Sequence, residues 1–429
     1  MTSAAVGPRR SRTIRGGRTG ALLAAAGLAL AGCSGSDDLG QVPSSAAPSG
    51  SSSGTGSVPT SGAAPSAAGA VPRLNVEEVT GGLEHGWDIG FLPDGKVLVS
   101  ERIGRFTLLS GSRPGATSRH VTADFSDLLV AGEGGLLGMV IHPDFASTRQ
   151  FTTCQNHTGS GGVDVRLVTW KLSADGARAD KVRDLLTGLP SSQGGRHSGC
   201  RPTIAPDGAL LVGTGDTARA SYPQDLTNLG GKLLRLNLTT GEPLRDNPKA
   251  SAGNVHERYV YSYGHRNVQG VAIRPGTGQI YTAEHGPSFN DEVNLIRPGA
   301  NYGWDPSQGG TESSYDESVP MTDTARFPGA VPAVWQSGET TQAICGAAFL
   351  DGAAWGAWNG ALVITALKGA KLLVLTLDPA GAVRTVTIPE QVNDRYGRLR
   401  AARLGPDGAL YVTTSNGDDD KLLRITPTT

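Results

Sequence analysis

A six-bladed β-propeller of four-stranded antiparallel blades is the fold the sequence predicts, on three observations. A turn of Pro-Asp-Gly type leading into an alternating apolar strand recurs six times, the first copy starting at Leu92 and the last at Gly405. Each copy is followed by a second strand of the same period, and no window carries a sustained 3.6-residue apolar stripe closed by helix caps. The span 72–429 also divides into six pieces of roughly 60 residues, the size of one four-stranded blade with a loop. Two packed β-sandwiches, the alternative at this length, give no reason for one pattern to appear six times.

The copies run in order along the chain. LPDGKVLVSE from Leu92 is followed by GRFTLLSG, HPDFASTRQFTTC from His142 by RLVTWKLSADG, and APDGALLVGTGD from Ala205 by GKLLRLNLTTG. RPGTGQIYTAEHG from Arg274 precedes DEVNLIRPG, and the weakest copy, WNGALVITALKG from Trp358, precedes AKLLVLTLDPAG. GPDGALYVTTSNGD from Gly405 and KLLRITPT close the series. Asp-Gly and Thr-Gly turns between period-two strands are hairpin signals. Composition agrees: 61 Gly and 26 Pro in 429 residues with 18% charged rule out a coiled coil or helical solenoid. A formal charge of −1 offers no basic field for a polyanion, so nucleic acid is not an expected partner. Four Cys are too few to build the scaffold from disulfides.

The N-terminus reads as an address. Arg9, Arg10, Arg12, Arg15 and Arg18 precede an apolar run from Ala21 to Ala31, about half the length needed to span a bilayer. The run ends in Leu30-Ala31-Gly32-Cys33, which resembles the bacterial lipobox, so residues 1–32 are expected to be removed and Cys33 to be lipidated. The Arg9-Arg10 pair lacks the flanks of a twin-arginine signal. Residues 33–71, rich in Ser, Gly, Ala and Pro, then form a tether with an r.m.s. reach of roughly 35 Å. The expected localisation is exported and anchored by lipid to the extracytoplasmic face of the cell membrane.

Polar clusters at the ends of the repeats mark where blade loops would converge. They are His197-Ser198-Gly199-Cys200-Arg201 with Asp216 beyond it, YGHRNVQG (263–270), EHGPSFNDEVNLIRPGANYGW (284–304), and Lys368 with Arg398 and Arg400. At these clusters, over about residues 76–425, the chain resembles the soluble quinoprotein glucose dehydrogenases and aldose sugar dehydrogenases. That family binds pyrroloquinoline quinone (PQQ) on a six-bladed propeller.

The resemblance implies a residue-by-residue reading. His197 stands as the general base that takes the proton of a sugar C1 hydroxyl, a task suited to a neutral imidazole. Asp216 orients it. Arg266 and Asn267 match the pair that contacts the quinone oxygens, where a cation stabilises developing negative charge. Lys368, Arg398 and Arg400 match the cradle of the three PQQ carboxylates. Gly286 and Pro287 match carbonyls that ligate a catalytic calcium, and Glu292 with Tyr302, beside Asp291, a structural one. The implied activity is oxidation of an aldose to a lactone, with a small-molecule sugar as substrate and an unidentified electron acceptor.

Four positions depart from the family pattern. Glu133 replaces a Gln beside cofactor and substrate, Cys200 a Gly, Ala401 an Asp, and Cys345 a Ser or Pro. In an exported protein two of Cys154, Cys200 and Cys345 are expected to pair, which two being open. Two further readings compete: a propeller lipoprotein whose cofactor site has decayed and which serves binding at the envelope, and a calcium-dependent propeller lactonase. The lactonase has no use for three cations around a carboxylate site.

Overall fold

The computed structural model describes residues 69–312 and 314–428. The signal segment, Cys33 and the tether up to residue 68 lie outside the described residues. Six four-stranded antiparallel sheets follow one another, as the repeats predict. Blade 1 comprises Gly86–Phe91, Val97–Glu101, Arg105–Leu109 and Ser118–Val121. Blade 2 comprises Leu136–Ile141, Gln150–Gly159, Gly162–Leu172 and Ala179–Leu189. Blade 3 comprises Gly199–Ile204, Ala209–Thr214, Lys232–Asn237 and Val260–Tyr263. Blade 4 comprises Val268–Ile273, Ile280–Glu284, Glu292–Leu295 and Trp335–Gln336, and blade 5 Ile344–Phe349, Leu362–Ala366, Lys371–Leu377 and Val383–Thr387.

Blade 6 takes Leu399–Leu404, Leu410–Thr414 and Asp420–Thr428 from the C-terminal end of the chain and its outer strand, Arg73–Leu83, from before blade 1. That strand pairs antiparallel with Asp420–Thr428 from Arg73 opposite Thr428 to Leu83 opposite Asp420. The pairing closes the ring and leaves no blade with a missing edge.

The repeated motif supplies the second and third strands of every blade. The first strands line the centre and touch one another in sequence around the ring, blade 6 meeting blade 1. They come closer than side chains allow. A Cβ on Gly270 would stand 2.3 Å from the Cys345 carbonyl oxygen, and one on Gly346 would stand 2.5 Å from Arg400 O and Ala402 N. The apolar cores lie between neighbouring blades: Phe106 of blade 1 meets Phe151 and Trp170 of blade 2 at ring separations of 5.2 and 5.6 Å.

The centre itself is polar. Buried Asp88 on the first strand of blade 1 accepts from Arg201 of blade 3 (2.9 Å) and from Arg403 of blade 6 (2.8 and 2.9 Å). Burial alone would raise the Asp88 pKa, but the two guanidinium charges outweigh it and hold the carboxyl at about 2. The cysteine pairing resolves as Cys154–Cys200, joining blade 2 to the innermost strand of blade 3, and Cys345 is a buried free thiol.

Strand alternation fixes where function resides. In each blade the Pro-Asp-Gly type turns join the first strand to the second at one end of the ring. The second-to-third turns and the blade-to-blade loops therefore share the other end. Every candidate residue among the described ones sits at or beside that second end.

Candidate active site

The loop from blade 2 into blade 3 presents His197 through a backbone that side chains seldom adopt, with positive φ at His197 (50°), Gly199 (55°) and Cys200 (62°). The disulfide at Cys200 pins the end of this turn. His197 is 5% exposed, and its Nδ1 lies 2.7 Å from Asp216 Oδ1. Asp216 is fully buried and also accepts from Trp304 Nε1 (2.8 Å), the Tyr315 hydroxyl (2.5 Å) and Ala218 N (2.9 Å). Burial opposes its ionisation, but His197, Arg266 and the Tyr315 hydrogen bond bring its pKa below the ordinary value. An ionised Asp216 fixes the proton on Nδ1 of a neutral His197, which leaves Nε2 as the acceptor. That nitrogen receives the Arg196 Nε–H at 3.3 Å.

Arg266 and Asn267 arrive on the loop into blade 4. Arg266 is 4% exposed and donates to His285 O at 3.1 Å and to Glu317, while its Nε is buried without a partner. His285 Nε2 is likewise buried and unpartnered. Desolvation first, then the charges of Arg400 and Arg266, push its pKa well below the ordinary value, so His285 is a neutral ring beside cations. Arg400 is 6% exposed and has no carboxylate partner among the described residues. Its NH1 reaches Gln269 Oε1 at 3.4 Å and Cys345 Sγ at 3.5 Å, and its guanidinium lies 3.8 Å from the Trp87 ring centroid.

Glu133 belongs to the same constellation. Its carboxylate accepts from His197 N, from Asn267 Nδ2 at 3.1 Å and from Gln269 Nε2 at 2.9 Å. The structure thus joins His197, Asp216, Glu133, Arg266, Asn267 and Arg400 in one network. Arg398 and Lys368 share the same end of the ring with exposed side chains, Lys368 in the turn after the second strand of blade 5.

Gly286 and Pro287 lie in the second-to-third turn of blade 4, with Gly286 N donating to Asp291 at 2.9 Å. Glu292 is buried and accepts from Thr322 (3.0 Å), Gln336 (2.9 Å) and Asn294 (3.3 Å). Burial and the neighbouring Glu284 carboxylate push its pKa up to about 8. The Tyr302 hydroxyl is committed to the main chain, donating to Leu295 O at 2.7 Å and accepting from Arg297 N at 2.8 Å. Only the Tyr302 main chain is left to meet a cation. Among the described residues no three or more His, Cys, Asp or Glu gather as a metal site.

Five participants escaped the sequence reading. Gln269 had a signal: two residues beyond Asn267 at the start of a strand, it points to the same side. Arg196 is adjacent to His197, and Trp304 closes the NYGW motif. Tyr315 and Glu317 come from a loop without period or motif. Tyr315 reaches Asp216, and Glu317 bridges Arg266 and Arg196, the latter at 2.7 Å.

Comparison with known proteins agrees with this geometry. The family model described as Glucose / Sorbosone dehydrogenase matches residues 83–424. The aldose sugar dehydrogenase YliI of Escherichia coli K12 is 31% identical over 361 residues, covering 82% of this chain and 93% of that protein. The soluble aldose sugar dehydrogenase of Escherichia coli in its apo form superposes with a TM-score of 0.71 at 30% identity, over 83% of this chain and all of the other. The PQQ-bound aldose sugar dehydrogenase of Streptomyces coelicolor gives 0.66 at 28% identity, over 84% and 100%. With its dyad, its cations and its family match agreeing over the same span, the chain belongs to the glucose/sorbosone dehydrogenase family.

Proposed function

We propose that this protein is an extracytoplasmic, lipid-anchored quinoprotein that oxidises aldose sugars at C1 to lactones, with PQQ and calcium as cofactors. The observation that carries the reading is the convergence of a general base with two buried guanidinium groups, Arg266 paired with Glu317 and Arg400 without a carboxylate partner among the described residues. His197 turns its accepting Nε2, held only by Arg196, to the same end of the ring as Arg266 and Arg400, and the orphaned Arg266 Nε with an Arg400 that has no carboxylate partner among the described residues fits an anionic, oxygen-rich group. When bound, PQQ supplies a quinone that accepts the C1 hydrogen as hydride.

The rest is done by the chain. The sugar C1 hydroxyl displaces Arg196 from Nε2 and gives its proton to His197. Asp216, held ionised by Trp304, Tyr315 and Ala218, stabilises the imidazolium and keeps the ring in register. C1 gives up its hydrogen as hydride while its hydroxyl oxygen gives up the proton, and the C1–O bond becomes the lactone carbonyl. Arg266 and Asn267 would hold the quinone end, with Arg400, Arg398 and Lys368 holding carboxylates. The Gly286 and Pro287 carbonyls suit a hard cation, and a divalent ion near Glu292 and Glu284 would relieve two buried carboxylates of their mutual repulsion. Titrating calcium-loaded apoprotein with PQQ and then adding sugars tests the reading. Bleaching of the quinone absorbance by an aldose is expected, and no PQQ binding removes the proposal.

Glu133 favours the decayed-site reading, because it sets a carboxylate beside a site for a trianion. A like-charge contact at about 5 Å and an effective dielectric of about 20 costs up to roughly 3 kcal/mol. Its hydrogen bonds to His197 N, Asn267 and Gln269 place it among donors, so the site retains its shape. Glu133→Gln is expected to tighten PQQ binding about tenfold or more once the Asn267 and Gln269 amides reorient to face a neutral group. Paired titrations of parent and variant check this. Equal affinities dismiss the repulsion, and no binding by either protein supports the non-catalytic lipoprotein.

The anchor has its own test. Cys33→Ala is expected to move the protein from the membrane fraction to the soluble one, since the apolar run before it is too short to span. A variant that sediments with membranes as its parent does, from a parent without acyl mass, rejects the assignment.

A further inference from the structure

Lys232, the first residue of the third strand of blade 3, is fully buried and has no part in the chemistry above. Its ammonium donates to three main-chain carbonyls: Tyr222 O at 2.7 Å, Pro223 O at 3.2 Å and Gly230 O at 2.5 Å. Three donors meet three acceptors. No carboxylate among the described residues lies within ion-pair reach of it. Burial draws its pKa down to about 7 against the opposing charges of Asp225 and Asp216. An ammonium is costly to bury, so a position that needed only to fill space would be cheaper with an apolar side chain.

The carbonyls it gathers belong to the segment that follows Asp216. Gly231 N donates to Gly215 O at 3.0 Å, and Lys232 N donates to Thr214 Oγ1 at 3.0 Å, which tie the two ends of that segment together. Gly264 N donates to Pro223 O at 3.0 Å, tying it to the loop that carries Arg266. Gln224, next to the gripped Tyr222-Pro223 pair, holds Trp304 O at 2.9 Å, and Trp304 Nε1 is a donor to Asp216.

We propose that Lys232 is a positioning residue for the His197–Asp216 pair, its ammonium acting as a built-in cation that organises the Asp216 segment through three carbonyls. The proposal rests on His197 being the base, but it can be read in the apoprotein without turnover. The ring proton shared by His197 Nδ1 and Asp216 is a far-downfield proton NMR signal, assigned by its loss in His197→Ala. Lys232→Met is expected to fold with the parental circular dichroism spectrum and to lose that signal. In the PQQ-loaded protein its kcat is expected to fall by about 10²-fold, the scale of an ångström-sized misplacement, with PQQ affinity unchanged.

Lys232→Ala should behave likewise and regain the signal saturably with propylammonium, but not with tetramethylammonium, which has no N–H donors. Should neither variant fold, the unmodified protein decides. As pH rises and the Lys232 amine titrates, followed by its 15N shift, the ring proton should broaden in step. A ring proton and kcat kept in Lys232→Met, equal restoration by tetramethylammonium, or a ring proton indifferent to the Lys232 titration overturns the proposal. A parent that shows the ring proton but binds no PQQ refutes the dehydrogenase reading instead.

Discussion

His197→Ala is expected to lower sugar-dependent dye reduction by about 10² to 10⁴ while leaving PQQ affinity nearly unchanged. The size follows from removing a positioned general base. The separation of effects follows from geometry. His197 Nε2 faces Arg196 on the side where substrate would enter, while the cations assigned to the cofactor, Arg266 and Arg400, are held by His285 O, Gln269 and Cys345. Removing the imidazole leaves those contacts in place. Asp216 then loses one donor but keeps three, so the site should not collapse. Stopped-flow reduction of the quinone and an equilibrium PQQ titration on the same protein check both halves. Unchanged turnover, where the parent is active, takes His197 out of the mechanism. A parallel loss of PQQ binding makes it a cofactor ligand rather than a base.

Much of the fold could be read from the sequence because the second and third strands of each blade alternate cleanly and are joined to a recurring turn. The first strands could not be read that way. Gly86–Phe91, GWDIGF, is buried along nearly its whole length and carries a glycine for close approach and an aspartate for the central ion pairs, so it shows neither period two nor an apolar run. The outer strand of blade 6 was hidden for another reason. Arg73–Leu83 pairs with residues more than 330 positions away, and no local signal encodes that closure.

The site divides the same way. His197, Asp216, Arg266, Asn267 and Arg400 sit in motifs whose residue types announce their chemistry. The partners that set their protonation and access are ordinary residues made important by folding: Tyr315 and Glu317 from an irregular loop, Lys232 at the start of a plain apolar strand. The three cysteines illustrate the limit, since composition predicted one pair but only the register between blades 2 and 3 selects Cys154 and Cys200.

Asp88→Ala is expected to destabilise the propeller by about 3 to 5 kcal/mol, because it strands one buried and one partly buried guanidinium group at the centre of the ring. Arg201 is 3% exposed and cannot turn its charge to bulk water, while Arg403, partly exposed, is held inward by two hydrogen bonds to Asp88 through Nε and NH2. Their remaining acceptors are uncharged: the Trp87 and Gln269 carbonyls and the Cys345 thiol for Arg201, the Met139 and Pro202 carbonyls for Arg403. These solvate but do not neutralise. Asp88→Asn, which keeps an acceptor and removes the charge, should fall between parent and Ala variant.

The pH dependence has a definite sign. The folded Asp88 pKa of about 2 lies below the unfolded value of 3.8, so its stabilisation is complete above the unfolded value and lost as pH falls through the folded one. The shift is worth about 2 kcal/mol. For a domain of this size the Ala variant should melt about 5 °C lower at neutral pH. The gap between parent and variant should narrow as the pH is brought toward 2. A midpoint within 1 °C of the parent at neutral pH, or a gap that does not narrow on acidification, would mean that the central charges are satisfied by the surrounding carbonyls alone.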